Sequence, residues 1–330
     1  MKNNYAIIDL HLHLDGSLSP EIILEIAKDE GILLPTNDVK ELRKFLEVPP
    51  TCQSLNEYLT KFDLPNLVLQ SKNGLYKATM DLLKREANDG LKYIEIRMAP
   101  QLSTLKGLTQ KEVVESILLA LKDGQNKYGI KSNLILCLMR NDNNKKDNLE
   151  TINVAKEFLN KGVVALDLAG AEALFPNEMF YEEFDIARDL NIPFTIHAGE
   201  ASNSESVVTA LSMGAKRIGH GIHAIEDDKV IEFLSKNKIP LEICPKSNLD
   251  TKAIKSFNEL PIKEFLKRNV LVTINTDDMT VSNTTLKNEY KILEDIGINE
   301  KELLQIASNS IDSAFISDKE KDELRKYLIS

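Results

Sequence analysis

Apolar residues along this chain fall into short, nearly unbroken runs, and between them lie longer stretches in which apolar positions recur every three or four residues. The runs are YAIIDL (5–10), LKYIEIRMA (91–99), SNLILCLM (132–139), GVVALDLAG (162–170), IPFTIHAG (192–199), KRIGHG (216–221), IPLEIC (239–244) and VLVTINTDD (270–278). Continuous apolar character, rather than strict alternation, is what a strand buried on both faces requires. The intervening stretches, such as LTQKEVVESILLALKDGQNKYG and DNLETINVAKEFLNKG, carry their apolar residues at helical spacing. Strand followed by helix, with eight strand-like runs in all, predicts an α/β fold in which parallel strands and right-handed crossovers close into a (β/α)8 TIM barrel. No repeat of fixed length and no low-complexity linker divides the chain, so residues 1–330 are read as one domain.

One connection is out of proportion, running from residue 11 to about residue 90. It contains several helical patterns, among them SPEIILEIAKDEG and SLNEYLTKFDLPNLVLQ. Because strand-to-helix loops project from the C-terminal mouth of a barrel, this insertion is expected to cover the mouth. A helical layer against the barrel's side, with no part in binding, is the other reading.

Composition narrows the class. Hydrophobic residues make up 42% and charged residues 28%, and no apolar run is long enough to cross a bilayer. The opening MKNNYAIIDLHLHLDG lacks the apolar core and cleavage site of a signal peptide, which leads to the expectation of a cytoplasmic protein. Three cysteines (Cys52, Cys137, Cys244) show no paired spacing, so neither a disulfide scaffold nor a zinc–thiolate site is indicated. A net charge of −10 opposes phosphate neutralisation, so a small molecule is the expected partner, with no nucleic acid and no membrane. Oligomeric state is not legible.

The chain has five histidines, and all lie at the ends of predicted strands: His11, His13, His197, His220 and His223. Any one of them alone is most simply a hydrogen-bonded core or surface residue. In a barrel, however, the strand C-termini converge on one rim. His11 and His13, two apart on an extended chain, point the same way. With His197 from the fifth run and Asp277 from the eighth, they form a three-nitrogen, one-oxygen set suited to a single Zn²⁺ per chain with a position left for water. Such an ion lowers the proton affinity of bound water and predicts hydrolysis at an electron-poor carbon. Glu200, three residues past His197, is the candidate general acid if a dry pocket keeps it protonated; otherwise it is a loop carboxylate capping the next helix.

HLHLDGSL (11–18), LDLAG (166–170), HAGE (197–200), RIGHG (217–221), CPKSN (244–248) and NTDD (275–278), in that order, resemble the adenosine deaminase family over nearly the whole chain. The resemblance implies a (β/α)8 barrel with one zinc held by His11, His13, His197 and Asp277. It further implies that Glu200 protonates N1 of a purine, that His220 holds the attacking hydroxide, and that Asp278 bonds N7. The Gly170 amide would face N3, where only a residue without a side chain lets the backbone approach, and Asp15 would take a ribose hydroxyl. Related adenine deaminases typically carry Glu in place of this Asp. Leu55, Tyr58, Leu59 and Phe62 resemble the family's hydrophobic lid, although at helical spacing they are equally plain core residues. Two positions depart from the pattern: Met279 stands where Pro is usual, which is expected to loosen the loop holding Asp278, and Ala171 replaces an acidic residue. His223 falls outside the family's metal set and is read as structural.

The implied activity is deamination of adenosine and 2′-deoxyadenosine to inosines and ammonia, a purine-salvage reaction. Adenine or a modified adenine nucleoside or nucleotide is the alternative substrate on the same scaffold, although no motif supplies a basic phosphate cluster. The cytidine-deaminase class is disfavoured, since the HxE and PCxxC signatures are missing, and a barrel phosphoesterase would need neither HAGE nor purine-facing groups. A non-catalytic nucleoside-binding relative would normally have lost a ligand or the acid.

Overall fold

The computed structural model describes residues 5–329. In chain order its elements are β1 (Ile8–His13), α1 (Pro20–Glu30), α2 (Val39–Leu46), α3 (Leu55–Leu59), α4 (Asp63–Val68), α5 (Lys72–Asp89), β2 (Tyr93–Met98), α6 (Gln110–Tyr128), β3 (Lys131–Met139), α7 (Lys145–Phe158) and β4 (Val163–Ala169). They continue with α8 (Tyr181–Asp189), β5 (Thr195–Ala198), α9 (Ser204–Met213), β6 (Arg217–His220), α10 (Asp228–Asn237), β7 (Leu241–Ile243), α11 (Pro245–Asp250), α12 (Ile262–Lys267) and β8 (Val272–Ile274). Helices α13 (Leu286–Asp295), α14 (Glu300–Ser313) and α15 (Asp318–Ile329) complete the chain.

All strand pairs are parallel and sequential, in two four-stranded sheets ordered β1 to β4 and β5 to β8. Single bridges close them into a barrel, Leu166 with Phe194 on one side and Leu12 with Asp277 on the other. Each predicted apolar run overlaps one strand, so the expected fold is the observed one. Most strands are shorter than their runs.

The first strand departs from expectation, beginning at Ile8 and continuing through His13, so that His11 and His13 lie within it. The reason is barrel closure: the His13 amide donates to Asp277 O at 2.8 Å and the Asp277 amide to His11 O at 2.8 Å. The strand therefore stays paired on both sides as far as the rim.

Outward-facing side chains such as Ile94, Ile96, Leu134 and Leu136 form the main core under the helices. The interior instead holds a buried ion-pair network. Arg97 meets Asp167 at 2.9 Å and Glu242 at 3.0 Å, and Arg217 meets Glu95 at 2.7 Å and Glu242 at 2.5 Å.

The long insertion divides between its two readings. Helix α5 is the crossover helix proper and packs on α6, while α1 packs on α5 and α2 on α1. Helices α3 and α4 lean over the mouth, with Tyr58 buried and Leu55, Leu59 and Phe62 half-buried at the cavity. Ser19, Ser54 and Ser71 cap α1, α3 and α5 by accepting the backbone amide three residues on. Among the described residues no helix is long and apolar enough to cross a membrane.

Candidate active site

The C-terminal mouth contains a cavity of about 290 Å³. His13, Asp15, Leu55, Tyr58, Leu59, Phe62, Gly170, His197, Glu200, His220, Asp277 and Asp278 all line it, and His11 lies buried behind. The structure thus brings together every residue that the sequence nominates except His223. That side chain sits on the turn after β6, paired with Glu226 at 2.8 Å and away from the cluster.

Asp277 is the hub. Its Oδ1 lies 3.1 Å from His11 Nε2 and 3.4 Å from His13 Nε2, and its Oδ2 lies 3.8 Å from His220 Nε2. The ring nitrogens of His11 and His197 face one another, Nε2 to Nε2, at 3.1 Å. Each ring is oriented from behind by a carboxylate: His11 Nδ1 donates to Glu242 at 2.8 Å, and His197 Nδ1 donates to Asp167 at 3.0 Å. With Nδ1 protonated, each neutral ring turns a lone pair inward, and two such lone pairs beside a carboxylate oxygen are opposed unless a cation lies among them. The donor set therefore fits a metal ion.

His220 differs from His11 and His197. Its Nδ1 faces the Asn248 amide nitrogen at 3.0 Å, so the neutral ring carries its proton on Nε2 and presents a donor rather than a lone pair. Burial, outweighing the pull of Asp277, holds its pKa well below the usual histidine value. Both His220 and Asp277 sit at positive φ, 60° and 61°, a backbone conformation that concentrates at functional sites. Gly219, just before His220, makes room for the pair, since a Cβ there would lie 3.2 Å from the His11 ring and 3.1 Å from His197 Cα.

Burial governs the other carboxyls. For Asp277 burial opposes ionisation, but the histidines around it, His11 foremost, hold its pKa well below the carboxylate norm. Glu200, 3.5 Å from His220 Nε2, is pushed up to about 8 by burial and then by the charges of Asp277 and Glu172. Asp278 is raised well above the norm by burial and by the Asp277 and Asp15 charges, and Asp15 is raised to about 6, mainly by burial.

Gly170 lies at φ 109°, while the nearest atom to a Cβ built there is 3.4 Å away. Its backbone conformation, more than close approach, therefore demands glycine. Met279 corrects an expectation: its amide donates to Ser17 Oγ at 3.1 Å, a bond that proline lacks the hydrogen to make. The loop carrying Asp278 is thus anchored rather than loosened. Tyr58 anchors it too, with its hydroxyl 3.0 Å from Asp278 Oδ2 and 2.8 Å from Ser282 Oγ.

Several supporting residues carry no signal of their own in the sequence. Glu172 accepts from the amides of Gly199, Glu200 and Ala201 at 2.7, 3.1 and 2.7 Å and shapes the HAGE turn. Arg140 bonds Phe175 O, Asn177 Oδ1 and His197 O at 2.7, 2.7 and 2.6 Å. Asp167, Arg97 and Glu242 stand out only as charges interrupting otherwise apolar runs.

A closed parallel barrel with a histidine–carboxylate centre at its C-terminal mouth defines a (β/α)8-barrel hydrolase of the metal-dependent amidohydrolase class. The chain belongs to the adenosine deaminase family, whose model, described as "Adenosine deaminase", matches residues 7–330. It is 47% identical over 329 residues to an adenosine deaminase from Haemophilus ducreyi, covering 98% of this chain and 96% of that protein. An adenosine deaminase from Clostridium acetobutylicum is 42% identical over 98% of this chain and 97% of its own length. Among solved structures, an adenine deaminase from Arthrobacter aurescens superposes with a TM-score of 0.89 at 29% identity, covering 98% of both chains. The N6-methyl-AMP deaminase from Arabidopsis thaliana gives 0.83 at 26% identity, over 98% of this chain and 96% of that one.

Proposed function

We propose that this protein deaminates adenosine and 2′-deoxyadenosine to the corresponding inosines and ammonia, with one Zn²⁺ per chain held by His11, His13, His197 and Asp277. One observation carries the choice of substrate. Asp15 Oδ1 and Asp278 Oδ1 are buried carboxyl oxygens without a hydrogen-bond partner, and they border the same cavity as Glu200. Such atoms are costly unless a ligand completes them. A purine nucleoside does so: a neutral Asp278 donates to N7, and Asp15 accepts a ribose hydroxyl.

A metal at this centre supplies positive charge that lowers the proton affinity of an adjoining water. Glu200, kept protonated by burial, donates its proton to N1 and makes C6 electron-poor. His220 Nε2–H donates a hydrogen bond to the attacking oxygen and holds it toward C6, and Asp277 Oδ2 accepts from the same water. Of the two water protons, one leaves with the amino group as ammonia and the other returns to Glu200. The lid residues Leu55, Leu59 and Phe62 exclude bulk water from the purine.

Deamination of free adenine or of an N6-modified nucleotide is the second reading, favoured by the named activities of the two structural neighbours. Against a nucleotide, Arg140 is the one Lys or Arg among the described lining residues, and its guanidinium Nη groups are engaged by protein oxygens. Against adenine, Asp15 would keep its unpartnered oxygen.

The deciding experiment follows the ultraviolet change from adenosine to inosine together with ammonia release, before and after chelation and zinc restoration. Turnover that disappears on chelation and returns with zinc is expected. Clear preference for adenine or N6-methyl-AMP overturns the choice of substrate.

A further inference from the structure

We infer that Thr251 is a positioning residue for this reaction, holding the Glu200 carboxyl by Oε1 so that Oε2 is presented to the reacting centre. The inference rests on the reading of Glu200 as the proton donor.

The geometry comes from α11. This short helix begins in the CPKSN motif and ends at Asp250, with Thr251 as its C-terminal cap. Asn248 and Thr251 are three apart and so share a face. Asn248 meets His220 Nδ1 at 3.0 Å, and Thr251 Oγ1 lies 3.0 Å from Glu200 Oε1. One helical face thus reaches both members of the pair that flanks the attacking oxygen. Glu200 Oε2 is left turned toward His220 Nε2, at 3.5 Å.

Thr251 Oγ1 is also 3.0 Å from Ser247 O, and a hydroxyl carries a single proton. When Glu200 is protonated, the proton sits on Oε2, the oxygen turned to the reacting centre, and Oε1 accepts from the Thr251 hydroxyl. When Glu200 has given up that proton to N1, Oε1 goes on accepting from the same hydroxyl, now as one oxygen of a carboxylate. Committing the hydroxyl to Glu200 does not strand Ser247 O, because the Thr251 amide also donates to it at 2.8 Å. The bond between the two side chains therefore survives in both protonation states. The carboxyl keeps its place across the proton transfer. Such preorganisation acts on the chemical step rather than on binding.

A purely structural Thr251 would only close the end of α11 through its bond to Ser247 O. Thr251→Val keeps the shape and removes the hydroxyl, whereas Thr251→Ser keeps the hydroxyl. For the zinc-loaded, full-length protein, Thr251→Val is expected to lower kcat about tenfold with KM nearly unchanged, in line with loss of a hydrogen bond to a catalytic carboxyl. Thr251→Ser is expected to restore most of it. In a Glu200→Gln background, Thr251→Val is expected to cost much less than it does alone. Wild-type kcat in Thr251→Val, a Thr251→Ser variant as slow as Thr251→Val, or an undiminished loss in the Glu200→Gln background each overturns the inference. A Glu200→Gln protein with full turnover instead overturns the assignment of the acid, and the inference falls with it. An active wild type with a silent Thr251→Val removes Thr251 alone.

Discussion

At the scale of single residues, the site is built from groups whose proton states are set from behind. Asp167 and Glu242 each fix one imidazole by accepting from its Nδ1, and such orienting carboxylates typically govern metal affinity. Asp167→Asn is expected to weaken zinc binding by about 10–100-fold, measured by competition with a chromophoric chelator. Unchanged affinity would mean that His197 is held by packing alone. Glu200 is surrounded by burial and negative charge that keep it protonated near neutral pH. Removing its transferable proton by Glu200→Gln is expected to cut kcat by about 10²–10⁴-fold while the bound zinc, measured by atomic absorption, stays stoichiometric. Loss of zinc from that variant would instead place Glu200 among the ligands.

At the scale of elements, α3 acts as both lid and strut. Its apolar side chains face the cavity, while the Tyr58 hydroxyl reaches Asp278 and Ser282 in the loop after β8. Tyr58→Phe keeps the apolar cover and removes that tie. It is expected to raise KM for adenosine about two- to tenfold, corresponding to one hydrogen bond, with a smaller change in kcat. An unaffected KM would show that Met279 and Ser17 suffice to hold the loop. The helical period of SLNEYLTKF announced an apolar face but did not say which surface it would meet. That choice depends on where α4 and α5 place the segment, and these are contacts between distant parts of the insertion. The same limit explains the first strand: its apolar run stops at Leu10, but pairing with Asp277 extends the ladder through both histidines.

At the scale of the whole molecule, stability should carry a pH signature unrelated to the active centre. Glu86 on α5 is fully buried, and neither carboxyl oxygen has a hydrogen-bond partner among the described residues. Burial, then the Asp9 charge, raises its pKa from 4.5 to about 8. The folded state therefore holds a proton that the unfolded chain releases near 4.5, so stability is fully present below that pH and declines as pH rises toward 8. Glu86→Gln should match the wild type near pH 4.5. It should become progressively more stable than wild type up to about pH 8, with the gap level beyond that, as measured by thermal or denaturant unfolding. Parallel curves at all pH values would show that Glu86 ionises freely in the fold.

Hydrophobic period by itself determined that this chain forms parallel strands alternating with helices, because burial on both faces leaves a direct mark on consecutive residues. Side-chain chemistry at the strand ends likewise nominated His11, His13, His197, His220, Asp277 and Glu200, since a barrel has only one rim on which they can gather. Only the tertiary structure decided how these groups are supported. Asp167 and Glu242 behind the imidazoles, Glu172 beneath the HAGE turn, and Asn248 and Thr251 on α11 act across separations of 27 to 231 residues. A hydrogen bond between remote residues imposes no period on either segment, so it becomes visible only when the barrel closes.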